Sequence, residues 1–513
     1  MTTEWLILGL LGLVILYRLC PRRMRGALLL GGSAVLVGAG SRQALVFMLL
    51  TALSVWAGGQ VLARMDRRAG ECRWEDRQKR REAKARLRRR KRLVTACVLV
   101  FNFGIMALLK HMDVLEEVAR GAGVSLPRLF VPLGISFYTF MAAGYLLDVD
   151  AGRIPAEGNP LRLALFIGFY PHLLQGPIGR YAALSPQLWA GETPDTRETG
   201  RALLRMAWGL FKKKVVADRA LLAVNAVFGA PQEQGGAMVL VGVLAYSLQQ
   251  YADFSGGIDL VLGAARLMGI RLAENFRQPY FADSLGDFWR RWHMTLGAWM
   301  KDYVFYPFAL SSGVHRLCVR VKALPWGNTL SRTLPAALGN LLVFFLVGIW
   351  HGTTSNYVVW GLYNGVILAA SALLEPAFRQ WASRHPFSRT RGFRLVRVIR
   401  TFAIVNVGWL FDRCARAEDA LGMLGRLLTS PRLSQLSGLT QALNLEAADL
   451  WILLGSAALI LAVSLIHERG GSVMDGLMKK PLPLRWAVLL AFLAGIVLCF
   501  YTGVTEGFLY AAF

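Results

Sequence analysis

The feature that most constrains this chain is a succession of apolar runs, each near the length of a bilayer crossing, separated by arginine-rich loops. A transmembrane helix needs ~20 mostly apolar residues. Such runs lie near 5–19, 27–41, 43–63, 93–110, 129–149, 161–176, 219–230, 236–252, 334–351, 354–373, 397–412, 450–466 and 485–501. Several are short or carry Gly, Pro and charge; these read as re-entrant or interfacial pieces, tolerated where protein or water surrounds the backbone. The pattern predicts an all-α polytopic membrane protein with roughly eleven to thirteen membrane segments. Composition agrees, with 55% of the 513 residues apolar and only 18% charged, below the roughly 25% of soluble domains. A soluble enzyme, a disordered tail protein and a fibrous repeat are excluded. No soluble domain boundary or internal repeat is visible, so residues 1–513 read as one integral-membrane domain.

The loops orient it. Lys and Arg exceed Asp and Glu by 58 to 32, a net charge of +26. The basic residues sit between apolar runs and no nucleic-acid fold pattern accompanies them, so the charge reads as cationic loops at the anionic inner face of a membrane, not as a nucleic-acid footprint. Residues 64–93 hold fifteen Lys/Arg and five acidic residues, including Arg88 to Arg92, and predict a charged cytoplasmic helix or hairpin. A partner-binding arm is the alternative for this segment. Arg18, Arg22, Arg23 and Arg25, the seven arginines of 376–400, and Arg469, Lys479, Lys480 and Arg485 mark further inside loops. No Lys or Arg follows Arg485, so the last span runs outward and both termini are expected outside. Met1 to Glu4 lack the basic region of a cleaved signal, so Trp5 to Tyr17 reads as an uncleaved first span. The six cysteines, Cys20, Cys72, Cys97, Cys318, Cys414 and Cys499, are scattered without a C-x-x-C pair and indicate neither a disulfide framework nor a zinc site.

Ionisable groups within apolar sequence are costly and are therefore functional candidates. Two clusters stand out. The first is Phe288-Trp289-Arg290-Arg291-Trp292-His293, followed by Trp299, Lys301, Asp302 and Tyr303; the second is Gly348-Ile349-Trp350-His351-Gly352. His351 follows ten residues without a charge, Leu341 to Trp350. With an unperturbed pKa of ~6.5, imidazole can take and return protons near neutrality. Gly348 and Gly352 leave room for a substrate or another helix. A histidine satisfied by a helix–helix hydrogen bond is the competing reading. Trp and Arg around His293 also fit an interfacial anchor, whereas Arg290 and Arg291 can hold a phosphate by paired hydrogen bonds. Trp350, Asn340, Asp302 and Asp253 complete the candidate donor- or substrate-binding groups. His172, in the broken-helix pattern FYPHLLQGP, is a candidate for lining a cavity, and His111, His315, His385 and His467 are assigned nothing. No nucleophile elbow, Walker A, dinucleotide or H-E-x-x-H motif is present; Asp253-Phe254-Ser255-Gly256-Gly257 has Asp where an elbow has Gly. No metal set is indicated, because neither carboxylate nor Cys spacing supports the histidines.

These clusters lie within an ordered series of motifs. They are PLGISFYTF (Pro132 to Phe140), YLLDV (Tyr145 to Val149), FYPHLLQGPIGRY (Phe169 to Tyr181), GLFKKKVVAD (Gly209 to Asp218) and YADFSGGIDL (Tyr251 to Leu260). ENFRQPY (Glu274 to Tyr280), DFWRRWHMTLGAWMKDYVFYP (Asp287 to Pro307), GIWHG (Gly348 to Gly352) and WGLYNG (Trp360 to Gly365) complete it. Over about 130–415 the chain resembles the membrane-bound O-acyltransferase family, closest to its bacterial branch of alginate O-acetyltransferases and teichoic-acid D-alanyl transferases. The resemblance implies a ring-like helical bundle with a thinned centre and a tunnel from a cytoplasmic acyl-thioester donor to an outside acceptor. In it, His351 matches the near-invariant catalytic histidine and His293 the second histidine of the branch. The branch pattern DFSGYSD loses its Tyr at Asp253 to Asp259, and YIPLGG loses its Gly pair at Phe305 to Leu310, which bears on the acceptor. The end, Phe508-Leu509-Tyr510-Ala511-Ala512-Phe513, resembles F-x-Y-x-x-F tails of the branch, in which the tyrosine is implicated as an acyl relay. An aromatic anchor is the alternative for the extracytoplasmic tail 502–513.

The expected function is transfer of an acyl group, acetyl foremost, from a cytoplasmic thioester to a hydroxyl of an extracytoplasmic polysaccharide or envelope polymer. Transfer would be direct or through a secreted acyltransferase partner. The donor would be acyl-CoA or an acyl carrier protein, with no permanently bound cofactor. D-alanyl transfer from a carrier protein is the nearest alternative. A transporter or flippase of a lipid-linked or acidic substrate is the rival class, although the two pseudo-symmetric halves common in transporters are not visible; a scaffold is favoured only by 64–93.

Overall fold

The computed structural model describes residues 3–71, 76–121, 123–124, 131–325, 327–352, 354–501, 503 and 507. Regular structure in these residues is all helical, with no strand. Five helices are long and apolar enough to cross a membrane: Arg42–Glu71, Arg77–Lys110, Gly327–His351, Ser355–Arg384 and Ala447–Glu468. Leu482–Leu498 is a shorter apolar helix. The chain is thus an all-α, multi-pass membrane protein.

The residues group into two compact units, one built from Met1–Met206 with Gly257–Ala273, the other from Ala207–Gly256 with Glu274–Val504. In the first, Arg42–Glu71 and Arg77–Lys110 have 30 and 34 residues. At 1.5 Å per residue they run about 45–50 Å, well beyond a ~30 Å hydrocarbon core. The excess is the basic segment 64–93, whose described residues are the ends of these two helices. The Asp76 carboxylate caps the second helix by accepting the Gln78 N–H at 2.7 Å. Lys91 ties the pair together, 2.9 Å from Asp66 and 3.7 Å from Asp150.

Several other predicted spans are shorter helices, while 236–252 and 397–412 lie inside Gly236–Leu267 and Arg391–Arg413, of 32 and 23 residues. Segment 129–149 becomes the 16-residue helix Ile135–Asp150, buried on nearly every face, as expected of a helix that is apolar all round. Segment 161–176 breaks at an extended Phe169 into Pro160–Gly168 and Tyr170–Gln175. His172 lies in the second piece. It is buried, and a Cβ on Gly176 or Gly179 would sit 2.5 or 2.9 Å from it, so those glycines are needed for the ring to pack.

In the second unit, Gly327–His351 and Ser355–Arg384 form a tight helical hairpin. A Cβ on Gly348 would lie 2.7 Å from the Tyr357 carbonyl oxygen and 3.1 Å from Gly361 Cα, and one on Gly361 2.6 Å from the Phe344 carbonyl oxygen. The glycines flanking the histidine therefore admit a helix. Phe211–Ala217 is a π-helical turn that buries Lys212, Lys213 and Lys214.

Candidate active site

His351 is the last residue of its helix and is only 8% exposed. Its ring is enclosed by aromatics: Trp350 at 4.8 Å between centroids, Trp360 at 5.1 Å and a stacked Tyr357 at 5.9 Å. Trp360 and Tyr357 come from the second hairpin helix, and the Gly348–Gly361 approach brings them there.

The segment of His293 forms by local rules. Ser284 caps the helix Leu285–Arg291, its hydroxyl accepting the Asp287 N–H at 3.2 Å. Helical spacing stacks Phe288 on Trp292 at 5.6 Å and turns Trp289 toward the hairpin. There Trp289 meets Trp360 at 5.6 Å and Phe344 at 5.1 Å, and donates its indole N–H to Asn364 Oδ1 at 3.1 Å. The helix ends at an extended Trp292, and His293 adopts a left-handed conformation (φ +45°) before Met294–Met300 begins. Trp292 is 2% exposed. Trp292 therefore packs as core, while Trp289 is half-buried. His293 is buried edge-on to Phe254 at 4.9 Å, with Nδ1 3.2 Å from Asn275 Oδ1. Burial among apolar rings pushes its pKa down to about 3, so the ring is neutral at physiological pH.

The two histidines thus border one aromatic cluster. From His293 the contacts run through Phe254, Trp292, Phe288, Trp289 and Trp360 to His351, no step longer than 6.3 Å between centroids. In such surroundings the low local dielectric strengthens every hydrogen bond the two imidazoles make.

The other candidates are dispersed. Arg290 is exposed, with Asp287 3.3 Å away. Arg291 is half-buried and bridges Asp287 at 2.8 Å and Glu468 at 2.7 Å. Asp302 lies on the π-turn Lys301–Phe305. Asn340 sits half-buried within the His351 helix, and Trp350 packs against His351 itself. Asp253 is buried in a polar cluster in which it accepts from Lys213, which lies 3.0 Å from Asp218. Lys214 donates to Asp218 at 2.9 Å and Lys212 to Ser255 at 2.8 Å. Tyr510 lies outside the described residues. Among those described, no three His, Cys, Asp or Glu are grouped as metal ligands.

Sequence reasoning passed over Asn275, the buried partner of His293, and the charge network of the three lysines. Asn275 stands inside ENFRQPY without a charge to mark it. The lysines had a signal, three cations in succession between apolar residues, whose partners lie 40 residues on or at the next helix start.

The fold and this pair of buried histidines define a helical membrane protein with two imidazoles on one aromatic cluster. The chain is homologous to a probable alginate O-acetylase of Pseudomonas fluorescens, 32% identical over 321 residues, 62% of this chain and 59% of that protein. It also matches a peptidoglycan O-acetyltransferase of Helicobacter pylori, 29% identical over 65% of this chain and 64% of the other. A teichoic acid D-alanyltransferase of Bacillus subtilis is 28% identical over 54% and 67%. These homologues are members of the membrane-bound O-acyltransferase family, the family that the motifs resemble. The chain spans about three fifths of the length of the Pseudomonas alginate O-acetylases it matches. No family model matches it.

Proposed function

We propose that this protein is an O-acyltransferase that moves an acyl group, acetyl foremost, from a cytoplasmic thioester to a hydroxyl of an extracytoplasmic polysaccharide or envelope polymer. The observation that carries the proposal is His351, a proton-transfer group enclosed by Trp350, Tyr357 and Trp360 at the end of an apolar helix. The names of the homologues support the reaction class. His351 acts as general base. It takes the proton of the attacking hydroxyl as oxygen bonds to the acyl carbon, and the proton finally rests on the thiol released when the carbon–sulfur bond breaks. His293 assists at the same aromatic cluster. Arg290, the exposed member of its pair, is the candidate contact for donor phosphates. The donor is acyl-CoA or an acyl carrier protein, the protein lies in the bacterial inner membrane, and both termini face outward. Tyr510 serves as relay when transfer runs through the tail.

The test is release of free thiol from labelled acyl-CoA by purified protein. Wild type releases thiol and labels a polymer acceptor; His351→Gln, inserted and folded, loses about 10²–10⁴ of the rate. Equal release by both removes His351 from the mechanism. Transport of the acyl compound without thiol release supports a transporter instead.

A further inference from the structure

Asn275 is fully buried, and its side-chain oxygen meets three groups at once. It accepts the Thr295 backbone N–H at 3.1 Å and the Thr295 hydroxyl at 2.9 Å, and His293 Nδ1 lies 3.2 Å away. A backbone N–H can only donate, so the Asn275 atom that faces Thr295 is the amide oxygen and not the amide nitrogen. That oxygen can only accept, so the imidazole nitrogen facing it carries a proton. A neutral imidazole has one ring N–H, which leaves the lone pair on Nε2. The hydrogen bond at one ring nitrogen thereby sets the state of the other.

The backbone braces this arrangement. Arg277 N–H donates to the Arg291 carbonyl and Met294 N–H to the Asn275 carbonyl, each at 3.0 Å. Between those bonds His293 holds its left-handed φ of +45°, uncommon for a residue with a side chain and kept only where the surroundings over-determine it. Phe254, perpendicular to the imidazole, closes one side of the ring.

We propose that Asn275 is the positioning residue of His293: it accepts from Nδ1–H and so holds the ring in the tautomer that offers the Nε2 lone pair. His293 then enters the reaction as an acceptor of a hydrogen bond at Nε2, not as a donor there. The catalytic half of this inference rests on the acyltransferase reading; the tautomer does not.

Ring-15N histidine labelling in lipid nanodiscs tests it. The chain has seven histidines, and the His293 signals are those lost in His293→Gln. Wild type and Asn275→Asp, which keeps an acceptor oxygen, show Nδ1 protonated and Nε2 bare. Asn275→Ala shifts the proton toward Nε2 and lowers kcat about 10–100-fold, the range typical of a partner that orients a functional histidine, while donor KM holds. Where Asn275→Ala does not fold, the wild-type spectrum alone decides. A wild-type ring protonated on Nε2 overturns the inference, as does an Asn275→Ala protein with unchanged spectrum and kcat. A protein with no acyl transfer whose His293 tautomer still depends on Asn275 overturns the acyltransferase reading and upholds this one.

Discussion

A histidine buried as a neutral ring leaves a thermodynamic trace. His293 has a folded pKa of about 3 against ~6.5 unfolded. Between these values the unfolded chain binds the extra proton, so stability rises with pH there and is lost as pH falls below ~6.5. From about pH 7 to 5 the loss is about 2 kcal/mol. The apparent Tm should therefore fall more steeply over this window in wild type than in His293→Gln; parallel falls would mean that the ring is protonated without cost. Asp253 makes a different residue-scale prediction. It is 2% exposed and accepts from Lys213, so Asp253→Ala leaves a buried cation less compensated and should cost about 3–5 kcal/mol. A Tm within a degree or two of wild type would show that water reaches the cluster. Arg290 and Arg291 separate by exposure. Arg290→Ala should raise donor KM with kcat kept, because binding shared by ground and transition states is lost. Arg291→Ala, which takes from Asp287 and Glu468 one of the two arginines that each pairs with, should lower Tm first.

At the scale of elements, the hairpin that carries His351 depends on two missing side chains. Gly348→Ala or Gly361→Ala places a Cβ within 2.7 Å of a carbonyl oxygen of the facing helix. The helices must part, at a cost of about 1–3 kcal/mol, and Trp360 and Tyr357 must leave the histidine, so Tm and turnover should fall together. Gly455→Ala, in a helix where a Cβ meets nothing within 4 Å, is the control and should be neutral or slightly stabilising. This hairpin also shows what the sequence makes legible. The apolar run 334–351 and the small residues around His351 announced a crossing helix and a close approach, since both follow from local pattern. Which neighbour approaches was not legible, because Gly361 and Tyr357 belong to the next run and helical period alone does not pair runs. Asn275 was hidden for the same reason, its meaning resting on a backbone turn at His293 that no residue type requires. The broken helices around Phe169 were legible from Pro and Gly, whereas the packing of His172 was not.

For the whole molecule, the remaining question is the path from donor to acceptor, and the tail tests it. The last residues before the tail are docked within the second unit. Arg219 donates to the Cys499 carbonyl at 3.1 Å and pairs with Asp449 at 2.7 Å, and the Tyr501 N–H reaches the Lys214 carbonyl at 3.4 Å. The tail, residues 502–513, begins from this anchored point, and twelve extended residues reach ~40 Å at ~3.3 Å each. A phenol of pKa ~10 is protonated at neutral pH and needs a base to attack a thioester. In the relay, an imidazole takes the Tyr510 proton as the acyl carbon–sulfur bond exchanges for a tyrosyl ester and passes it to the departing thiolate; the polymer hydroxyl then displaces tyrosine, its own proton moving to the phenolate. Tyr510→Phe should therefore abolish polymer acylation while membrane insertion and Tm hold, and protein quenched with donor but no acceptor should carry the acyl group on Tyr510 by mass spectrometry. A tag after Phe513 should be open to protease added outside intact spheroplasts, as the absence of Lys and Arg beyond Arg485 predicts. Full activity in Tyr510→Phe, or a tag cut only after lysis, leaves direct attack by the polymer hydroxyl, deprotonated by His351, as the route.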